Sequence, residues 1–188
     1  MDKALLSLVI VSSCLWFDLS TAVAKRVAAL SIGKGEATVS FLAGTADVSE
    51  KGIWSPLHLG DTLGEGDHVR TGAGGRLELL LPDKSRVRFA ADSEFKVVRI
   101  EGGGDAATPR NVRVHVVLGK VWSNVVRVLG AKGTFDLSCD QAVAGVRGTI
   151  YRMNIEQDRS ALVRVYDGTV HVSGGDKPAD ESVRIGPP

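Results

Sequence analysis

Beyond residue 24 the chain does not repeat its apolar residues at helical spacing; it alternates them, and glycine interrupts the alternation at short intervals. Alternation sends successive side chains to opposite faces of an extended backbone, so such runs form half-buried strands. In Arg76-Leu-Glu-Leu-Leu-Leu81, Leu77, Leu79 and Leu81 share one face. Leu80 falls on the other, which predicts cover on both sides near the strand's end. Arg86-Val-Arg-Phe89, Asn111-Val-Arg-Val-His-Val116 and Ala161-Leu-Val-Arg-Val-Tyr166 alternate in the same way. Roughly a dozen short strands, with turns about every ten residues, predict an all-β fold. Two architectures suit that pattern, a rolled β-solenoid-like fold and a β-sandwich. The recurrent Gly-turn-strand units favour the solenoid-like form. With 22 glycines and only 5% aromatic residues, the core must be built from Val, Leu and Ile.

The N-terminus does not belong to that pattern. Residues 4–17 are mostly apolar, and Thr21-Ala-Val-Ala24 follows with Ala-x-Ala cleavage spacing. The run is shorter than a membrane span requires. It therefore predicts a signal peptide over residues 1–24, a periplasmic or secreted product, and no transmembrane segment in the mature chain. Val11-Ser-Ser-Cys14 resembles a lipobox, so a lipoprotein anchored through Cys14 is the alternative. After cleavage Cys139 is the sole cysteine, expected to be a small buried hydrophobe.

Turn residues organise the remainder. Ala43-Gly44 separates Glu36-Ala-Thr-Val-Ser-Phe-Leu42 from Thr45-Ala-Asp-Val48, and Asp167-Gly168 separates residues 161–166 from Thr169-Val-His-Val172. Both read as hairpins. Trp54 is expected to anchor the core or its rim. Asp61, Glu65 and Asp67 lie among glycines without the spacing of an EF-hand loop, so they read as turn residues rather than calcium ligands. Residues 117–126 are expected to follow the 111–116 strand after a turn at Gly119, and residues 101–109 form a loop. The main domain is placed at 35–173, with a tail at 174–188 that includes a possible edge strand at 181–185.

Little conventional chemistry is present. Basic and acidic residues number 23 and 22, so no overall field favours nucleic acid. His58, His68, His115 and His171 are scattered, with no zinc spacing, and His115 and His171 fall on the outward face of their strands. No nucleophile elbow, phosphate loop or close carboxylate pair occurs, so neither enzyme activity nor a cofactor or metal is expected. Arg76, Arg86, Arg88, Lys96 and Arg99 form a basic stripe without interleaved aromatics. It reads as a solvated sheet face, with a polyanion site as the alternative.

The most specific stretch is Gln141-Ala-Val-Ala-Gly-Val-Arg-Gly-Thr149. Gly145 and Gly148 permit close backbone approach, and Arg147 is the one charge between Ala142 and Thr149. It is expected to need a specific partner: a buried carboxylate or backbone carbonyls that lock the turn, or else an anionic ligand. The stretch resembles the signature of the FecR-domain family. Two further regions are similar: Gly60-Asp61, Arg70-Thr71-Gly72 and the leucine strand after them, and Gly119-Lys-Val-Trp-Ser-Asn-Val125. Lys84 departs from the resemblance, standing where the family usually has glycine in Asp-Gly-Ser. The resemblance implies a solenoid-like form and a non-catalytic binding or signalling module outside the cytoplasmic membrane of a bacterium. Its partner would be an envelope protein or glycan. Relatives couple such a domain to a membrane helix and a sigma-factor-regulating segment in iron uptake; with no second apolar span here, that mechanism is not expected. The alternative role is an envelope scaffold or a carbohydrate- or peptidoglycan-binding module. Gly60, Asp61, Thr71, Gly72, Gly145, Val146, Arg147, Gly148 and Thr149 are the motif residues, structural or partner-binding.

Overall fold

The computed structural model describes residues 35–102, 109–127, 133–174 and 183–187. The expected leader at 1–24, Cys14, most of the expected 101–109 loop and residues 175–182 of the expected tail lie outside them. The described residues form fifteen strands and no helix, joined in one mixed, open sheet. One layer orders its strands β13 (Ala161–Asp167), β12 (Ile150–Ile155), β9 (Asn111–Asn124), β7 (Arg86–Phe89), β6 (Arg76–Leu80), β1 (Ala37–Ala43) and β4 (Thr62–Leu63). The second runs β15 (Val183–Ile185), β14 (Val170–Gly174), β11 (Ala142–Val146), β10 (Thr134–Ser138), β9, β8 (Glu94–Glu101), β5 (His68–Thr71), β2 (Ala46–Glu50) and β3 (Ile53–Pro56). Among the described strands only β9–β10 is parallel.

Strand β9 belongs to both layers. Residues 111–118 pair with β8 and residues 119–124 with β7 and β12. The expected turn at Gly119 is a swivel within one long strand, where φ reaches +110°. The two expected hairpins are corrected in the same way. Strands β1 and β2 do not pair with each other: β1 pairs β4 and β6, and β2 pairs β3 and β5. Strand β13 pairs β12, while β14 pairs β11 and β15. Gly44 (φ +70°) and Gly168 (φ +85°) are corners where the chain passes from one layer to the other. A positive-φ glycine can close a hairpin or fold a strand, and the facing segment decides which.

The result is three antiparallel ribbons, each folded at mid-length: β1–β2 against β5–β6, β7–β8 against β9, and β11–β12 against β13–β14. Such pairing folds an open sheet over on itself; it does not by itself make a solenoid. Between the layers lies an aliphatic core, including Val39, Leu77, Leu79, Val114, Val116 and Leu137. The Phe89 and Phe95 rings, from β7 and β8, stack at 3.7 Å between centroids. Cys139 is a free, buried thiol within this core. Trp54 stays at the rim, 37% exposed, beneath the Arg70 guanidinium at 4.3 Å.

Lys84 resolves the one departure in the turn between β6 and β7. Leu81 donates to the Ser85 carbonyl and Lys84 to the Leu81 carbonyl, both at 2.9 Å. Lys84 itself takes φ +68°. The turn is therefore the tight three-residue type that favours glycine in the left-handed position. Holding a lysine there costs about 1–2 kcal/mol, partly offset by its lower unfolded-chain entropy. Lys84→Gly is expected to raise stability by roughly 0.5–1 kcal/mol. A urea melt checks this, and a lower midpoint would contradict it.

Candidate functional site

The motif residues fall at three places. Gly60 and Asp61 hold the turn before β4: Gly60 donates to the Val39 carbonyl at 2.9 Å, and Val39 donates to the Asp61 carbonyl at 2.8 Å. The Asp61 carboxylate accepts the His58 amide at 2.7 Å.

Thr71 and Gly72 stand at the first ribbon's corner. The Thr71 hydroxyl donates to the Ala90 carbonyl at 2.6 Å and accepts the Ser93 amide at 2.9 Å, tying this corner to the second ribbon's. Gly145 faces Asp136, whose carboxylate would lie 3.3 Å from a Cβ at that position. Burial pushes the Asp136 carboxyl up, against the opposing pull of the Arg113 charge and hydrogen bond. Gly148 and Thr149 make the third ribbon's corner. A Cβ on Gly148 would meet the Arg127 side chain at 2.6 Å, and the Thr149 hydroxyl donates to the Thr169 carbonyl at 2.9 Å. Val146 is buried. Arg147 is exposed.

A different constellation lies on the outer face of the first layer. Strand register places Phe41, Glu78, Arg88, Trp122 and Arg152 in one row across β1, β6, β7, β9 and β12. A register shift between Val39 and Phe41 turns Ser40 and Phe41 toward this face. The row crosses an open groove of about 640 Å³, whose walls also include Arg76 and Lys120.

Phe41 is 49% exposed, and the Arg88 guanidinium lies 4.8 Å from the centre of the Trp122 ring. Among the described residues Glu78 is the one carboxylate lining the groove; it accepts Arg88 Nε at 2.5 Å and the Ser40 hydroxyl at 2.9 Å. Burial would raise its pKa, but the Arg88 and Ser40 hydrogen bonds and the Arg88 and Arg86 charges hold it below the ordinary value. Among the described residues no carboxylate lies within ion-pair distance of Arg76, Lys120 or Arg152.

The expected basic stripe is thus divided. Arg76, Arg86 and Arg88 share the first layer, while Lys96 and Arg99 stand on β8 in the second. Aromatics do interleave on the first layer, because Trp122 and Phe41 arrive from strands distant in sequence.

His115 is more engaged than an outward-facing position suggests. Nδ1 lies 3.3 Å from the Ser138 hydroxyl and Nε2 3.3 Å from the Asp140 carboxylate. Asp140 is 54% exposed and shared with Arg159, which makes this a surface ion-pair cluster. Among the described residues no group of three His, Cys, Asp or Glu could hold a metal ion, and no helix is long and apolar enough to cross a membrane.

The family model described as FecR protein matches residues 67–171. The chain belongs to the FecR family. The matched span contains Thr71 and Gly72, Gly145 to Thr149, and the groove residues Arg76, Glu78, Arg88, Lys120, Trp122 and Arg152. Gly60, Asp61 and Phe41 precede it. Two crystal structures of a candidate anti-sigma factor from Parabacteroides distasonis ATCC 8503, at 1.65 and 2.50 Å, are similar to this FecR chain. Each is 21% identical, with a TM-score of 0.50, and the likeness covers 64% of this chain. The chain spans about half, 51%, of those proteins' length, and at this identity the likeness concerns the fold alone. No curated protein matches the sequence.

Proposed function

We propose that this FecR protein is a non-catalytic binding and signalling module that works outside the cytoplasmic membrane through an envelope partner. The observation that carries this reading is the groove: an open face on five paired strands, lined by four cations and one carboxylate. Positively charged, aromatic and unclosed, it suits docking rather than the enclosed geometry that chemistry requires. The family assignment and the anti-sigma-factor description of its structural neighbours support a signalling role. The leader supports the compartment. A carbohydrate- or peptidoglycan-binding role is the second reading, favoured by Trp122 within the groove.

Export is tested on the full chain expressed in a Gram-negative host. Mass spectrometry should find a periplasmic product beginning at Lys25. A cytoplasmic protein retaining Met1 would overturn the compartment, and a diacylated Cys14 would replace the soluble form with the anchored one.

A further inference from the structure

We infer that the first-layer groove is a binding site for an acidic glycan, a pyranose chain bearing carboxylates, with Trp122, Arg76, Lys120 and Arg152 as its contacts. This rests on the binding-module reading and adds the ligand's chemical class.

Charge is the first support. The chain as a whole carries +1, yet the groove gathers four cations around one carboxylate, and that carboxylate is already held by Arg88. Arg76, Lys120 and Arg152 face the same open space with no acidic partner among the described residues. Charge-assisted bonds from guanidinium and ammonium groups to an incoming carboxylate would complete them.

The sheet's topology separates a glycan from an extended peptide. A peptide that docks on a sheet ordinarily adds to an edge, where free amides and carbonyls form a new ladder. The groove floor is β6, β7 and β9, each paired on both sides, and β1 past Val39 is paired only with β6 at its margin. Across that floor an occupant is read by side chains. Trp122 and Phe41 supply ring surface, and the three cations surround it. Flat apolar surface beside carboxylate-binding groups is the complement of a pyranose face beside its carboxylate. The groove is also open, so it can accept the interior of a polymer.

The test uses the purified exported chain and polygalacturonate oligomers, titrated by calorimetry at about 0.15 M salt so that long-range attraction is screened. Binding is expected, and neutral dextran oligomers should not bind. Arg76→Gln with Arg152→Gln should weaken binding at least about tenfold, the scale of one lost charge-assisted contact. Trp122→Ala should do likewise. Lys96→Gln with Arg99→Gln, on the other layer, should bind as wild type. Circular dichroism and melts confirm that each variant is folded.

Absence of polygalacturonate binding overturns the inference, as does equal weakening by the β8 pair, which would show unspecific charge attraction. Equal or tighter binding of poly-L-glutamate would also overturn it, in favour of an acidic polypeptide occupant. None of these failures affects the export test, so the broader reading stands or falls separately.

Discussion

Replacing Arg110 with alanine is expected to destabilise the protein by about 3–5 kcal/mol, the cost of leaving a buried charge without its partner. The Arg110 and Asp83 side chains are only 5% and 2% exposed and form an ion pair through Arg110 Nη1 and Asp83 Oδ2. Few proteins bury such a pair without further hydrogen bonds, and here those bonds are present. Arg110 also donates to the Val126 carbonyl at 2.9 Å, while Asp83 accepts the Ser85 amide at 2.9 Å and its hydroxyl at 2.7 Å. Ser85 Oγ in turn accepts the Val126 amide at 3.0 Å. One cation thus joins the β6–β7 turn to both ends of β9, and its own carbonyl accepts from Thr134 at the start of β10.

Arg110→Lys should recover only part of this, because one nitrogen, Nη1, makes both the Asp83 and the Val126 bonds and the shorter ammonium must reach its place. Arg147→Ala is the comparison. Its side chain is exposed, where water and salt screen a charge's interactions, so its melt should shift far less. Urea melts of the three variants decide the matter. An Arg110→Ala midpoint close to that of Arg147→Ala would show that the buried network contributes little.

The contrast between these arginines shows what was legible in the sequence. Arg147 stands out because small residues surround it, whereas Arg110 follows Pro109 at the end of a loop and looks like an ordinary surface cation. Only the tertiary structure brings Asp83, Ser85 and Val126 around it. The strands were readable because period-two burial is local: Leu77, Leu79, Val87, Phe89, Val112, Val114 and Val116 are all buried on the face that alternation assigns. Strand β12 alternates as well, with Tyr151, Met153 and Ile155 buried, but its start is masked because the corner before it lies within the glycine motif. Pairing was not readable. Ala-Gly and Asp-Gly look the same whether they close a hairpin or fold a ribbon, and the difference lies in a second corner far along the chain. The groove was hidden for the same reason. Trp122 reaches Arg88 through the β7–β9 register, and nothing near either residue announces it.

Gly119→Ala should therefore strike at the fold's least visible requirement, with an expected cost of roughly 2–5 kcal/mol. Two effects add. At φ +110° an L side chain meets its own backbone, at about 1–2 kcal/mol. The new methyl would also lie 2.6 Å from both Cα and Cβ of Ser93, and forcing an atom into packed structure costs about 1–3 kcal/mol. Ser93 cannot simply retreat. Its amide is bonded to the Thr71 hydroxyl at 2.9 Å, and its carbonyl accepts the Thr71 amide at 2.8 Å, so displacement would disturb the first ribbon's corner as well. Gly52→Ala separates the two effects. Gly52 has φ +87° with nothing within 4 Å of the added carbon, so it reports backbone strain alone. Gly119→Ala should be the more destabilised, and Trp122 fluorescence should change because β9 enters the first layer through that swivel. If the two alanine variants melt together with unchanged fluorescence, close contact between the corners is not what holds the two layers in register.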